Sequence, residues 1–132
     1  TRRNWEGASL AEIAREELAL HGGDRGLAIG PDVALSPRTA LALSMAVHEL
    51  VTNAVKHAFP DNRKGRIQLC FNCEEDGGYF LQVSDNGIGM KESTGEGSGL
   101  DLVESFVLQH NGEIEWNGDP GTTIKMWFPK SA

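Results

Sequence analysis

Between residues 40 and 59 the chain reads ALALSMAVHELVTNAVKHAF, and its apolar positions repeat with the period of a helix. Leu43, Val47, Leu50 and Ala54 form one stripe, which Ala46, Val51 and Ala58 widen. Ser36-Pro37 upstream supplies a cap followed by a first-turn proline, and Phe59-Pro60-Asp61-Asn62 closes the helix. A shorter amphipathic helix is expected over 8–20. There Ser9 and Glu12 read as a capping box, and Leu10, Ile13, Ala14 and Leu18 keep helical spacing, with Glu17 as the polar exception. His21-Gly22-Gly23-Asp24 stops it. A third helix is expected over 100–110 on Leu100, Val103, Val107 and Leu108, ended by Asn111-Gly112.

Elsewhere the period falls to two. Residues 27–29 form a short apolar strand candidate, and 33–37 read as a connection. Residues 66–73 and 79–84 alternate around Glu74-Glu75-Asp76-Gly77-Gly78, a hairpin signal. Residues 113–116 and 122–128 repeat the arrangement around Asn117-Gly118-Asp119-Pro120-Gly121, and Pro129 ends the sheet. Strands that arrive in hairpins, separated by helices, predict an α+β fold with a mainly antiparallel sheet covered on one face, rather than a doubly wound one. Trp5, in the polar opening segment, is read as a packing anchor.

Composition adds limits. The chain has 132 residues, enough for one domain with a real core, and 39% hydrophobic with 23% charged residues suits a soluble globular protein. A formal net charge of −7 with no basic stripe argues against nucleic-acid binding but leaves a nucleotide open. No stretch approaches the roughly 18 apolar residues of a membrane span, and no signal peptide is visible. The first residue is Thr1, so a single domain over 1–132, cut from a longer protein, is expected. Cys70 and Cys73 form C-x-x-C within a strand, where residues three apart face opposite sides. With no second pair to complete a zinc site, they read as free thiols in a reducing compartment.

The candidate chemistry begins on the long helix. Glu49, Asn53 and Lys56 stack on adjacent turns beside the apolar stripe, flanked by Thr52 and His57. One reading is a solvated polar face. The other is a Mg²⁺–phosphate site, in which Asn53 offers a neutral oxygen, Lys56 a positive charge, and Glu49 orients or deprotonates a water or hydroxyl. Downstream, Asp85-Asn86-Gly87-Ile88-Gly89 follows a strand directly, and Gly97-Ser98-Gly99-Leu100 opens a helix. Glycines that admit close backbone approach, next to a helix N-terminus with unpaired N–H groups, suit an anion. The spacing is neither that of a Walker A loop nor that of a Rossmann loop. Gly121-Thr122-Thr123 enters the last strand, where a hydroxyl can sit beside Asp85 on neighbouring sheet positions.

In order, H-E-L-x-T-N-A-x-K-H, D-x-G-x-G, G-x-G-L and G-T-T resemble the N, G1 and G2 boxes and final strand of the GHKL superfamily, which includes gyrase B, Hsp90, MutL and histidine kinases. The likeness is nearest to the ATP-binding catalytic domain of bacterial sensor histidine kinases, in the HisKA_2/HWE branch, on His48-Glu49 and the opening N-W-E-G-A-S-L. The G1 region lacks the W-x-E that names HWE kinases, which favours HisKA_2. The resemblance implies a Bergerat-type two-layer α/β sandwich with a mixed, mostly antiparallel sheet and about three helices.

It further implies ATP and Mg²⁺ as ligands. Asn53 would hold Mg²⁺, with Glu49 beside it, and Lys56 would contact phosphate. His57 would neighbour the nucleotide, and Asp85 would accept the adenine amino group. Gly87, Ile88 and Gly89 would admit the base, Gly97, Ser98, Gly99 and Leu100 would cradle phosphate, and Thr122 would support Asp85 through water. Glu49 matches the general base of the superfamily's ATPases. His48, inside the N-box helix, reads as a packing residue or as a support behind the site.

The implied reaction is transfer of the γ-phosphate to a histidine on a separate dimerising domain, with a response regulator downstream. The implied setting is a cytoplasmic, homodimeric parent, with neither nucleic acid nor membrane touched by this domain. No such phosphoacceptor helix is present, since His21 and His110 only flank helices. The fragment should therefore bind ATP without phosphorylating itself. Residues 90–96 form a short, polar lid. An anti-sigma-type serine kinase or another GHKL ATPase would carry the same boxes, and a non-catalytic scaffold would require them to be degenerate.

Overall fold

Ser9 starts the first helix, α1 (Leu10–Glu17), from an extended backbone at φ −89° and ψ 153°, and its Oγ accepts the Glu12 N–H at 3.1 Å. Such a cap contributes about 1 kcal/mol. The computed structural model describes residues 8–22, 26–32, 34–35, 37–57, 65–75, 77–87, 100–118 and 121–129. The capping box forms on one side: Glu12 Oε2 is buried without a partner among the described residues. The predicted helix over 8–20 is shorter at both ends. Ala8–Ser9 forms a two-residue strand β1, and the last turn widens into a π-helix over Leu18–Gly22. The expected connection at 33–37 likewise contains a strand, β3 (Ala34–Leu35), which pairs antiparallel with β1.

The long helix α2 runs over Pro37–His57, with the proline at its first position as expected. Its predicted stripe is buried: Leu43 is 1% exposed, Val47 and Val51 0%, and Leu50 2%. The closing residues Ala58 and Phe59, like Ser36 and Trp5, lie outside the described residues. The third helix, α3, spans Leu100–Gln109 and buries Val103 and Val107, which are four apart on one face. Leu108 corrects the predicted apolar set. One residue past Val107 it turns about 100° away from that face, and it is 67% exposed.

Five further strands form one sheet: β2 (Gly26–Ile29), β4 (Ile67–Cys73), β5 (Tyr79–Asp85), β6 (Glu113–Asn117) and β7 (Thr122–Phe128). The order is β2-β4-β5-β7-β6. Every pairing is antiparallel except β2 with β4, which run parallel. A parallel pair needs a crossover, and α2 lies between these two strands in the chain. Ile67, Leu69, Phe71, Leu81, Val83, Ile124, Met126 and Phe128 alternate inward and join the buried residues of all three helices in one core. The opposite sheet face, with Gln68, Gln82, Ser84, Thr123 and Lys125, is half-buried. The result is the expected α+β two-layer arrangement with a mixed, mostly antiparallel sheet.

Register gives the sheet two distinct ends. Asp85, the last residue of β5, pairs with Thr122, the first of β7, at one end. Tyr79 pairs with Phe128 and Cys73 at the other, next to the 74–78 turn. That turn is closed by Glu74 N–H to Gly78 O at 2.7 Å and Gly77 N–H to Glu74 O at 2.9 Å. At the end of α3, Asn111 adopts φ 60° and Gly112 N–H returns to Val107 O at 2.8 Å, which makes Asn111-Gly112 the helix stop that was expected. Cys70 and Cys73 are free thiols, half-buried and exposed respectively.

Candidate functional site

At the Asp85 end of the sheet, Leu50, Asn53 and Ala54 of α2 face Val83, Asp85, Thr122 and Ile124 of the sheet across one small pocket. The apolar members are core positions of α2, β5 and β7, so the pocket floor is continuous with the core. Asn53 and Thr122 are buried at 8% and 6% exposure. A buried amide, a half-buried carboxylate and a buried threonine therefore line one pocket, where burial makes each polar contact count for more than it would in water.

Asp85 is held by the backbone around it. Its Oδ1 accepts the Gly87 N–H at 2.9 Å, and the Thr122 N–H also donates to it. A carboxylate offers about four acceptor positions, so capacity remains for a ligand donor. Gly121 makes this approach possible. It adopts φ +64°, and a Cβ there would lie 2.1 Å from the Asp85 carbonyl oxygen. Asn86 extends the β4–β5 pairing past its last strand residue. Its N–H donates to Arg66 O at 3.2 Å, and its Oδ1 accepts the Arg66 N–H at 2.7 Å.

Burial holds the Asp85 carboxyl above the usual aspartate value of 3.8, and the backbone N–H groups of Gly87 and Thr122 pull it back only in part. A carboxyl whose folded pKa is raised contributes stability below the unfolded pKa, and this is lost as pH rises through the folded one. Asp85→Asn, which removes the titration, is therefore expected to gain stability relative to the parent as pH rises from below 3.8 through the window just above it. Urea unfolding of both proteins across that range checks the sign.

The remaining predicted residues are distributed unevenly. Glu49 is half-buried on α2 but lines a different groove, with Met45 and Leu102. Lys56 is exposed in the last turn of α2, and the side chains of His57 and Leu100 are not described. Gly87 is placed beside Asp85. Ile88, Gly89, Gly97, Ser98 and Gly99, with residues 90–96, where a lid is expected from the sequence, lie outside the described residues. The pocket's apolar wall, Leu50, Ala54, Val83 and Ile124, was visible in the sequence only as core periodicity. Thr52 Oγ1 donates within its own helix to His48 O at 2.8 Å. His48 Nδ1 lies 3.0 Å from Glu17 Oε1, so this histidine joins α2 to α1.

Residues 39–132 match the family described as histidine kinase-, DNA gyrase B-, and HSP90-like ATPase. The blue-light-activated histidine kinase of Brucella anthropi is 31% identical over 141 aligned positions, which take in 99% of this chain and 28% of that protein. Its counterpart in Brucella ovis is 38% identical over 115 positions, 82% of this chain and 24% of that protein. The chain thus spans about a quarter of the length of the curated relatives it matches. Among solved structures, the histidine kinase domain of an Erythrobacter litoralis blue-light activated histidine kinase superposes with a TM-score of 0.76 at 25% identity, covering 89% of this chain and 58% of that one. A mycobacterial sensor histidine kinase, MprB, shares the fold with a TM-score of 0.73 at 21% identity, covering 94% and 97%.

Proposed function

The chain belongs to the histidine kinase-, DNA gyrase B- and HSP90-like ATPase family, and from that membership we propose that it is the ATP-binding catalytic domain of a sensor histidine kinase. The observation that carries the reading is the convergence of Asn53, Asp85 and Thr122, from three separate elements, on one pocket. In this reading Asp85, fixed by the Gly87 and Thr122 N–H groups, accepts the exocyclic amine of adenine. Leu50, Ala54, Val83 and Ile124 give the base an apolar wall.

Phosphoryl transfer needs positioning and charge neutralisation more than covalent chemistry. Asn53 is a hard neutral oxygen donor of the kind Mg²⁺ accepts, and it would hold the ion next to the nucleotide. Bound there, Mg²⁺ supplies charge neutralisation to the phosphates. Lys56, exposed one turn on from Asn53, supplies positive charge to the phosphates. Glu49, in its neighbouring groove, orients the incoming imidazole. The acceptor is a histidine on a separate domain, with a response regulator receiving the phosphoryl group and a homodimeric parent bringing the two domains together. Among the described residues, no helix is long and apolar enough to cross a membrane.

Two measurements test the reading. A fluorescent ATP analogue is expected to bind more tightly with Mg²⁺ than without it, and Asn53→Ala is expected to remove that difference while leaving the metal-free affinity largely unchanged. Addition of a separately produced histidine-bearing dimerisation domain with ATP is expected to give acid-labile, base-stable phosphorylation of that domain, the signature of a phosphorus–nitrogen bond. Acid-stable phosphoserine would move the assignment to a serine kinase. Binding indifferent to Mg²⁺ in the parent protein would overturn the Asn53 role.

A further inference from the structure

We propose that Glu17, His21 and His48 form a second ligand site, a binding site for a divalent transition-metal ion of the zinc type. It is built between α1, the π-turn that follows it, and α2, and it is separate from the nucleotide pocket. The three donor atoms lie within 4.8 Å of one another. Glu17 Oε1 is the shared centre, 3.0 Å from His48 Nδ1 and 3.6 Å from His21 Nε2. Zinc bonds to imidazole nitrogen and carboxylate oxygen are about 2.0–2.2 Å long, so donors around one tetrahedral ion lie about 3.3 Å apart. The two separations from Glu17 Oε1 fall on either side of that value, and the two imidazole nitrogens, within 4.8 Å of each other, would draw together to about that distance when an ion binds.

Ordinary hydrogen bonding accounts for only half of the arrangement. His48 at 3.0 Å is within hydrogen-bond reach of Glu17, but His21 at 3.6 Å is not. His21 nonetheless converges on the same oxygen, and the two rings meet edge to face at 4.6 Å and 81°. A third donor atom is thus held beside a hydrogen-bonded pair without itself being hydrogen-bonded to the carboxylate oxygen they share. The carboxylate carries the negative charge and is buried, with a side-chain exposure of 12%, whereas the imidazoles are open at 33% and 44%. A hydrated ion can approach past the rings and reach the charge behind them.

The local backbone supports the site. The stretch Leu18–Gly22, which carries His21, is a π-turn directly after Glu17. Such turns are rare and concentrate at functional positions. The donor set points to the metal class. Two imidazoles with one carboxylate suit zinc and its first-row neighbours, whereas Mg²⁺ and Ca²⁺ prefer all-oxygen shells. Three protein ligands leave a coordination position open. His48 and Glu17 also line a groove of about 260 Å³ together with Ser44, Met45 and Glu49. An ion held there would tie α1 to α2 one residue from Glu49.

The test is titration of the nucleotide-free protein with Zn²⁺ alone, carried out on the 132-residue chain with Cys70→Ser and Cys73→Ser to remove thiol binding. Calorimetry is expected to show one ion per chain, with a rise in melting temperature that follows occupancy. Glu17→Gln and His21→Gln are each expected to abolish both effects. Because a variant of a buried residue can fold poorly, a second readout uses the unaltered histidines. On adding Zn²⁺, the ring resonances of His21 and His48 are expected to shift together at one equivalent, with His110 unmoved. No binding, binding indifferent to both variants, or shifts confined to other histidines would overturn the proposal. Because no nucleotide is present, failure here leaves the kinase reading untouched.

Discussion

Asp85→Asn is expected to weaken ATP binding by about 10- to 100-fold, the loss of a charge-assisted hydrogen bond of about 1.5–3 kcal/mol. The substitution keeps the shape of the side chain, and its remaining carbonyl oxygen can still accept the Gly87 N–H that now reaches Asp85 Oδ1 at 2.9 Å. What changes is the second atom. An acceptor becomes an NH₂ donor, which under the proposed role of Asp85 would face the donating amine of adenine. The penalty should therefore depend on the base. Inosine triphosphate carries a carbonyl acceptor where adenosine triphosphate carries the amine, and it should lose less affinity in the variant than ATP does. Fluorescence competition with both nucleotides, alongside circular dichroism to show an intact fold, measures this. Equal losses for the two nucleotides would remove Asp85 from base recognition.

Gly121→Val is expected to destabilise the domain by about 3 kcal/mol or more and to lower its melting temperature by on the order of 10 °C. Two effects add. The residue sits at φ +64°, where a β-branched side chain is strained, and its Cβ would stand 2.1 Å from the Asp85 carbonyl oxygen. The obstacle is backbone, not the flexible end of a side chain, so relief requires β5 and β7 to move apart where they meet. That movement displaces the Thr122 N–H from Asp85, and nucleotide affinity should fall even at temperatures where the variant is fully folded. Thermal unfolding followed by circular dichroism measures the first effect, and nucleotide titration well below the transition measures the second. A variant that melts with the parent protein would show that the two strand ends are not pinned as described.

Much of this architecture can be read from the chain because it is local. The α2 stripe, the 74–78 hairpin and the Asn111-Gly112 stop each follow from residues within a few positions of one another. Asp85 and Thr122 could be paired in advance because each stands at the mouth of a strand next to a glycine-bearing turn. Features that depend on distant partners were hidden. Ala8–Ser9 becomes a strand only because Ala34–Leu35 lies alongside it, and two residues carry no period. The parallel pairing of β2 with β4 joins segments separated by a whole helix. Glu17, a polar break in an apolar stripe, makes sense only once His48, 31 positions away, is seen to reach it. Asn53 and Asp85, singled out from motif spacing, do line one pocket. Their separation from Glu49 could not be foreseen, since helical stacking puts Glu49 one turn from Asn53 without saying which groove each side chain lines.

The two unlike ends of the sheet set out where the protein can carry cargo. Strand β5 has seven residues, so the 74–78 turn stands roughly 20 Å from Asp85. The turn follows Cys73, an exposed thiol, and begins with the exposed Glu74 and Glu75. Its exposed side, at Glu74 and Glu75, is where added peptide is best tolerated, provided that the hydrogen bond to the buried Gly78 is kept. A reporter domain grafted there, or a dye attached to Cys73, would ride on the central strands and leave the pocket at Asp85 unobstructed. The fold thus separates a working edge from a handle, and the handle is where this domain can be tethered or wired into an artificial signalling chain.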